Sequence, residues 1–168
     1  MIETHVTDEG ATRSLTFSKL LPATPGEVYR AFTNATALRD WLADQAHVAA
    51  QEGGAIFLGW NRPGYYVAGR YTRLKPDKHV AFDWQGIGEP GRSEVEVDIE
   101  QRQNGTEVTL VHRGLGAEAS WDGVVDEVRD GWLTALENLH AYFDVGQDLR
   151  IARRPFLGII MAGAMTPE

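Results

Sequence analysis

The sequence predicts an α+β domain in which a curved antiparallel sheet of seven strands closes around one long C-terminal helix. Three observations lead there. Six consecutive segments between Ala46 and Gly114 read as strands of period two, separated by short turns. One stretch near the C-terminal end, "DEVRDGWLTALENLHAYF" (126–143), carries apolar residues at three- and four-residue steps, the period of a helix packed along one face. Ahead of the six segments stand one further strand pattern and two short helical patterns. A sheet whose strands follow one another directly, covered on one face by a helix, is a layered α+β arrangement.

The first strand is "RSLTFSKLLPA" (13–23), where Leu15 and Phe17 alternate with Ser14, Thr16 and Ser18; one face is buried and the other is wet. "TPGEVYRAFTN" (24–34) then changes period. Thr24 suits a helix cap, Pro25 the first turn, and Glu27 stands three residues after the cap, the spacing of a capping box. Val28, Ala31 and Phe32 form its apolar face. "TALRDWLAD" (36–44) repeats the pattern, with Thr36 as cap and Leu38, Trp41 and Leu42 on one side. The six strands are "AHVAA", "GGAIFLGW", "YYVAGRYTRL", "HVAFDWQ", "SEVEVDIEQ" and "GTEVTLVHRG". Between them "EGG", "NRPG", "KPDK", "GEPGR" and "QNG" carry turn chemistry, so the strands form a meander. In "EVEVDIE", Val95, Val97 and Ile99 point one way and the carboxylates the other. The stripe that covers this sheet is Trp121, Val125, Val128, Trp132, Leu136, Leu139 and Phe143. Gly131, beside Trp132, permits close backbone approach there.

A chain of 168 residues fits one domain and is long enough for a core without staples. The net charge of -8 argues against nucleic acid, which needs a basic face. There is no cysteine, which removes disulfides, thiolate metal sites and cysteine nucleophiles. The N-terminus lacks the basic start and apolar run of a signal peptide, and no apolar run has the length of a membrane span. A cytoplasmic protein is therefore expected. Metal binding is not expected, because His5, His47, His79, His112 and His140 show no helical pair. No organic cofactor is expected either, since the glycine-rich "GEPGR" and "EGGAIFLG" do not link a strand to a helix as a phosphate loop must. No G-x-S-x-G elbow occurs. Asp83 falls on the solvent face if Trp84 points inward.

The pieces "LPATPGEVYRAFTNATALRDWL", "GGAIFL", "GRYTRLKPDKHVAFDW", "GTEVTLVHRGL" and "GWLTALENLHAYF", in this order, resemble the START-like superfamily. Within it they look like the family of the activator of the heat-shock-protein-90 ATPase. The resemblance covers most of residues 13 to 143 and implies a helix-grip fold with a cavity between helix and sheet. The START-like domain is thus expected over residues 1–146, followed by a tail at 147–168.

Strand alternation puts Val80, Phe82 and Trp84 on the helix side, with Val97 and Leu110 following on the next strands. His112 ends the series Thr106, Val108, Leu110 and should point inward, where both ring nitrogens need partners. Trp60, Tyr66 and Trp41 of the second short helix complete the expected pocket together with Val128 and Trp132 of the long helix. Each of these is equally at home as plain core. The function expected is binding of a small apolar or amphipathic molecule in that cavity. His112 would orient the ligand or serve structure alone. A cyclase- or hydrolase-type enzyme in the same cavity and a cochaperone-like protein-binding module are the alternatives. In the tail, Gly146 should end the long helix and Pro155 block further helix. "FLGIIMAGAM" (156–165) is too apolar to lie free in water; it packs on its own domain or joins two subunits in a homodimer.

Overall fold

The computed structural model describes residues 1–152. Eight strands form one sheet: β1 (Glu3–Asp8), β2 (Thr12–Leu21), β3 (Gln45–Val48), β4 (Ala55–Trp60), β5 (Tyr65–Lys75), β6 (His79–Gly86), β7 (Ser93–Arg102) and β8 (Gly105–Gly116). Two short helices, α1 (Pro25–Thr33) and α2 (Ala35–Trp41), intervene between β2 and β3. A 3-10 turn at Ala119–Trp121 leads into α3 (Asp122–Val145), and α4 (Leu149–Ala152) follows it. The sheet order is β1-β2-β8-β7-β6-β5-β4-β3, with every neighbouring pair antiparallel. This is the α+β helix-grip architecture expected, with one strand more than the seven predicted.

The extra strand is β1. All of its residues except Thr4 are exposed, so it has no buried face and no hydrophobic alternation to reveal it. It is an edge strand held by backbone pairing to β2, from Glu3↔Ser18 to Asp8↔Arg13. The turn closes where Gly10 adopts φ 86° and its N–H donates to Asp8 Oδ1 at 2.9 Å.

Helix α1 starts on the capping box that the sequence spells. Glu27 N donates to Thr24 Oγ1 at 3.3 Å, and Thr24 N donates to Glu27 Oε2 at 2.8 Å. Helix α2 is capped by Asn34, not Thr36: Ala37 N donates to Asn34 Oδ1 at 3.0 Å. Asn34 also closes α1 through its own N–H to Arg30 O. One residue thereby ends one helix and begins the next, and Thr36 falls inside the first turn.

The core follows the predicted alternation. Val97 pairs with Leu110, Val95 with His112 and Phe82 with Val95, and all five side chains are buried. From α3, Val125, Val128, Trp132, Leu136 and Leu139 are buried against them. The stripe is shorter than its sequence pattern at both ends: Trp121 belongs to the 3-10 turn, and Phe143 is only half-buried. Register shifts between Arg13 and Leu15 and between Tyr71 and Arg73 are bulges, which bend strands and sharpen their twist. Gly146 ends α3 at φ 65°, the left-handed cap. Among the described residues, no helix is long and apolar enough to cross a membrane.

Candidate functional site

Helix α3 approaches β2 closely and stands off from β4, β5 and β6. The space left is a cavity of about 790 Å³. Its helix wall runs from Val124 to Asn138, about 21 Å at 1.5 Å per residue. Opposite stand Trp41 and Leu42 from the end of α2, Trp60 from β4, Tyr65 from β5 and Trp84 from β6. Four tryptophans thus face one space. Each has its indole N–H engaged by protein: Trp41 with Ala31 O at 2.9 Å, Trp60 with Leu42 O at 2.8 Å, Trp84 with Tyr65 Oη at 3.2 Å, and Trp132 with His112 Nδ1 at 3.1 Å. With their only donors engaged, what they offer the cavity is chiefly carbon.

Of the residues expected at the pocket, Trp41, Trp60, Trp84, Val128 and Trp132 line it. Phe82, Val97 and Leu110 do not. They lie fully buried behind the wall, with Phe82 against Trp84 at 6.4 Å between ring centroids. Tyr66 is on the other face of the sheet, 43% exposed and stacked on Phe57. Its neighbour Tyr65 takes the inward place, sharing strand parity with buried Val67. Gly131 plays a different part from the one predicted. It lies on the cavity side of α3, and a Cβ there would meet nothing within 4 Å. It leaves space open rather than drawing helix and sheet together.

His112 is wholly buried, one layer behind the cavity. Its ring lies edge-on to Trp84, with centroids 5.2 Å apart. Both nitrogens are engaged. Nδ1 accepts from the Trp132 indole, and Nε2 lies 2.7 Å from Ser93 Oγ. The indole can only donate, so Nδ1 is unprotonated and Nε2–H donates to Ser93. The serine hydroxyl then donates to Trp84 O at 3.4 Å. Burial pushes the imidazole pKa down to about 3. His112 is thus neutral, in one tautomer, and positions Trp132 instead of touching the cavity.

The polar end of the cavity is one that strand alternation does not reveal. Glu89, in the "GEPGR" turn after β6, lines it together with Tyr65. The Tyr65 hydroxyl donates to Glu89 Oε1 at 2.6 Å, and Trp84 Nε1 reaches the same oxygen at 3.3 Å. Gly86 N donates to Oε2 at 3.3 Å. Burial, followed by the bond to Glu89, raises the Tyr65 pKa far above its ordinary value. Tyr65 therefore holds its proton and serves as a donor. Glu127 and Asp130 on α3 stand exposed at the rim of the same cavity.

The model of the activator of Hsp90 ATPase homolog 1-like proteins matches residues 22–144. This chain belongs to that family. Its fold recurs in the crystal structure of CalU16 from Micromonospora echinospora, 24% identical, covering 91% of this chain and 88% of that one with a TM-score of 0.68. It recurs also in the solution structure of the Aha1 dimer from Colwellia psychrerythraea, 22% identical over 80% of this chain and 98% of that one, TM-score 0.67. Protein MLL2253 from Mesorhizobium loti, at 18% identity, covers 79% and 97% with a TM-score of 0.70. Comparison with curated proteins returns no match.

In this family member the far end of the cavity is closed by α3 and the residues after it. Asn138, 1% exposed, donates to Trp41 O and to Asp148 Oδ1, and accepts from Leu149 N at 2.6 Å. Arg150, at the cavity's edge, is bridged to Asp148 at 2.9 Å and donates to Arg39 O. The matched region ends at residue 144, yet 148–150 are tied to the helix. "FLGIIMAGAM" and Pro155 lie outside the described residues.

Proposed function

We propose that this protein binds a small apolar or amphipathic molecule in the cavity between α3 and strands β4–β6. The observation that carries the reading is the cavity itself: about 790 Å³, walled by Trp41, Trp60, Trp84 and Trp132, with the Tyr65–Glu89 pair among them and Glu127, Asp130 and Arg150 at its edges. Ligand sites are concave spaces of roughly 300–1,000 Å³, mostly apolar with a few placed polar groups. Burial of apolar ligand surface drives binding, at roughly 25 cal/mol per Å² before ordering costs. A protein-docking module has less support, because exposed large apolar residues of the sheet fall in two places, Val6 and Leu20 on β1 and β2 and Tyr66 with neighbouring Ile87 at β5 and the end of β6, with β8 and β7 between them.

The test uses N-phenyl-1-naphthylamine, a neutral apolar fluorophore, and the variant Gly131→Leu. A leucine there enters open space on the cavity side of α3 and replaces a poor helix former. The probe is expected to bind one per chain and to quench tryptophan emission. Gly131→Leu should weaken it at least tenfold while unfolding no earlier than the parent. A probe that ignores the parent protein, or binds Gly131→Leu as well, refutes the reading.

Tyr65 and Glu89 also give a second reading its one specific support: a donor and a carboxylate in a half-closed cavity are the groups an acid–base enzyme needs. A homodimer through the tail is proposed too, since "FLGIIMAGAM" is apolar and α3 already completes the core without it. The full chain should then sediment as a dimer and a chain ending at Ala152 as a monomer; equal states for both remove the tail from the interface.

A further inference from the structure

The charged groups around a cavity decide which apolar-bodied molecules it prefers. Here the ionisable lining is uneven. Glu89, Glu127 and Asp130 stand at one stretch of it, and Arg150 at the other. Glu127 and Asn138, beside which Arg150 lies, are 11 residues apart on α3, about 16 Å at 1.5 Å per residue. Arg150 already has a carboxylate partner in Asp148. Among the described residues no lysine and no other arginine lines the cavity. Asp130 pairs with Arg129 on its own helix at 3.4 Å, and Glu89 and Glu127 are not matched by a cation across the space.

Glu89 is the one placed to meet a ligand's polar group. A carboxylate offers about four lone-pair positions. Oε1 accepts from Tyr65 and Trp84, while Oε2 has a single long bond, from Gly86 N at 3.3 Å. Acceptor capacity remains on Oε2. The rings of Trp84 and Trp132, with centroids 5.5 Å apart, and of Trp60 border the same space, and indole rings attract organic cations. A carboxylate in a partly desolvated, tryptophan-walled site favours a cation more strongly than one in water. The chain's net charge of -8 raises the local concentration of cations further.

We propose that the cavity is selective for amphipathic organic cations, an apolar body carrying a protonated amine that seats on Glu89 between Tyr65 and the tryptophan faces. The proposal rests on the ligand-binding reading. The two fail separately in one experiment.

Decylamine, decan-1-ol and decanoate share one alkyl body and differ at the head group. Each is titrated calorimetrically, below its aggregation limit, into the full chain, Glu89→Gln and Gly131→Leu. Decylamine should bind the parent protein one per chain, at least tenfold tighter than decan-1-ol and tighter still than decanoate. Glu89→Gln keeps an acceptor for the Tyr65 hydroxyl and should unfold near the parent's midpoint. It should bring the amine-to-alcohol ratio within about twofold by weakening decylamine. Gly131→Leu should weaken all three, which separates the cavity from adsorption on an acidic surface. If decan-1-ol binds as tightly as decylamine, or the preference survives in Glu89→Gln, the charge selectivity is wrong and the cavity reading stands. If decanoate binds best, the Arg150 end chooses the ligand and the proposal is overturned. If none of the three binds the parent protein, both readings fall.

Discussion

Lowering the pH from 7.5 to 5.5 should destabilise this protein through one residue. His112 is fully buried, and burial pushes its pKa from 6.5 down to about 3. The unfolded chain therefore takes up a proton near pH 6.5 that the folded chain refuses. A group depressed on folding contributes stability that is complete above its unfolded pKa. That contribution is lost progressively as the pH falls from 6.5 toward about 3. Each unit in that window costs about 1.4 kcal/mol. Geometry gives the same sign. Protonating Nδ1 would set an N–H against the Trp132 indole N–H 3.1 Å away and break the bond that fixes the cavity wall.

The assay is urea unfolding of the parent protein and His112→Phe at both pH values. Phenylalanine keeps a flat ring in the site but strands the Trp132 donor and Ser93, so the variant should be less stable at pH 7.5 by about 1–3 kcal/mol for each polar group left unpaired. Every other titrating group is common to the two proteins, so their slopes cancel in the difference. The parent should lose about 1.4 kcal/mol more than His112→Phe between the two pH values. Equal losses would mean that His112 takes up its proton in the fold as readily as in the unfolded chain, and the neutral imidazole derived from Trp132 and Ser93 would be wrong.

Trp132→Ala should destabilise by about 3–5 kcal/mol, read as a lower urea midpoint, because the side chain is 3% exposed and its loss also frees His112 Nδ1. A parent-like midpoint would place Trp132 outside the core. Gly131→Ala should stabilise by up to about 1 kcal/mol, since its Cβ meets nothing within 4 Å; a lower melting temperature would show that the cavity side of α3 is occupied. Thr24→Ala removes the cap bond from Glu27 N and should cost about 1 kcal/mol, seen as a few degrees of melting temperature.

Most of the fold was legible because it rests on short-range rules. Strand alternation in "EVEVDIE" sets which side of β7 faces the core, and the observed pairs Val97↔Leu110 and Val95↔His112 agree with it. The capping box at Thr24 and the left-handed cap at Gly146 are likewise local. Strand β1 escaped because a strand with no buried face leaves no hydrophobic signal; its partner is the backbone of β2, and any polar segment pairs equally well on that criterion. The cap of α2 escaped for a related reason. Asn34 and Thr36 are both good caps, and only the shared junction with α1 chooses between them.

The cavity was harder to read, because pattern shows which side of an element faces inward but not how far the opposite wall stands. Phe82, Val97 and Leu110 satisfy the same alternation as Trp84, yet they lie fully buried where α1 packs over β6 and β7, while the space before Trp84 stays open. Tyr66 was a parity error that Val67 could have corrected, since residues two apart on a strand share a face and Val67 is the apolar one. Glu89 carried no signal of any kind. In sequence it is one polar residue in a turn full of glycine and proline. Its role depends on a hairpin bringing the turn back over Gly86 and on a tyrosine 24 residues earlier reaching it. Four of the chain's five tryptophans wall the cavity, and that part of its lining was named from the sequence. The group that gives such a cavity its chemical preference is set by loops, where no period constrains the choice, and so it becomes visible only once the chain is folded.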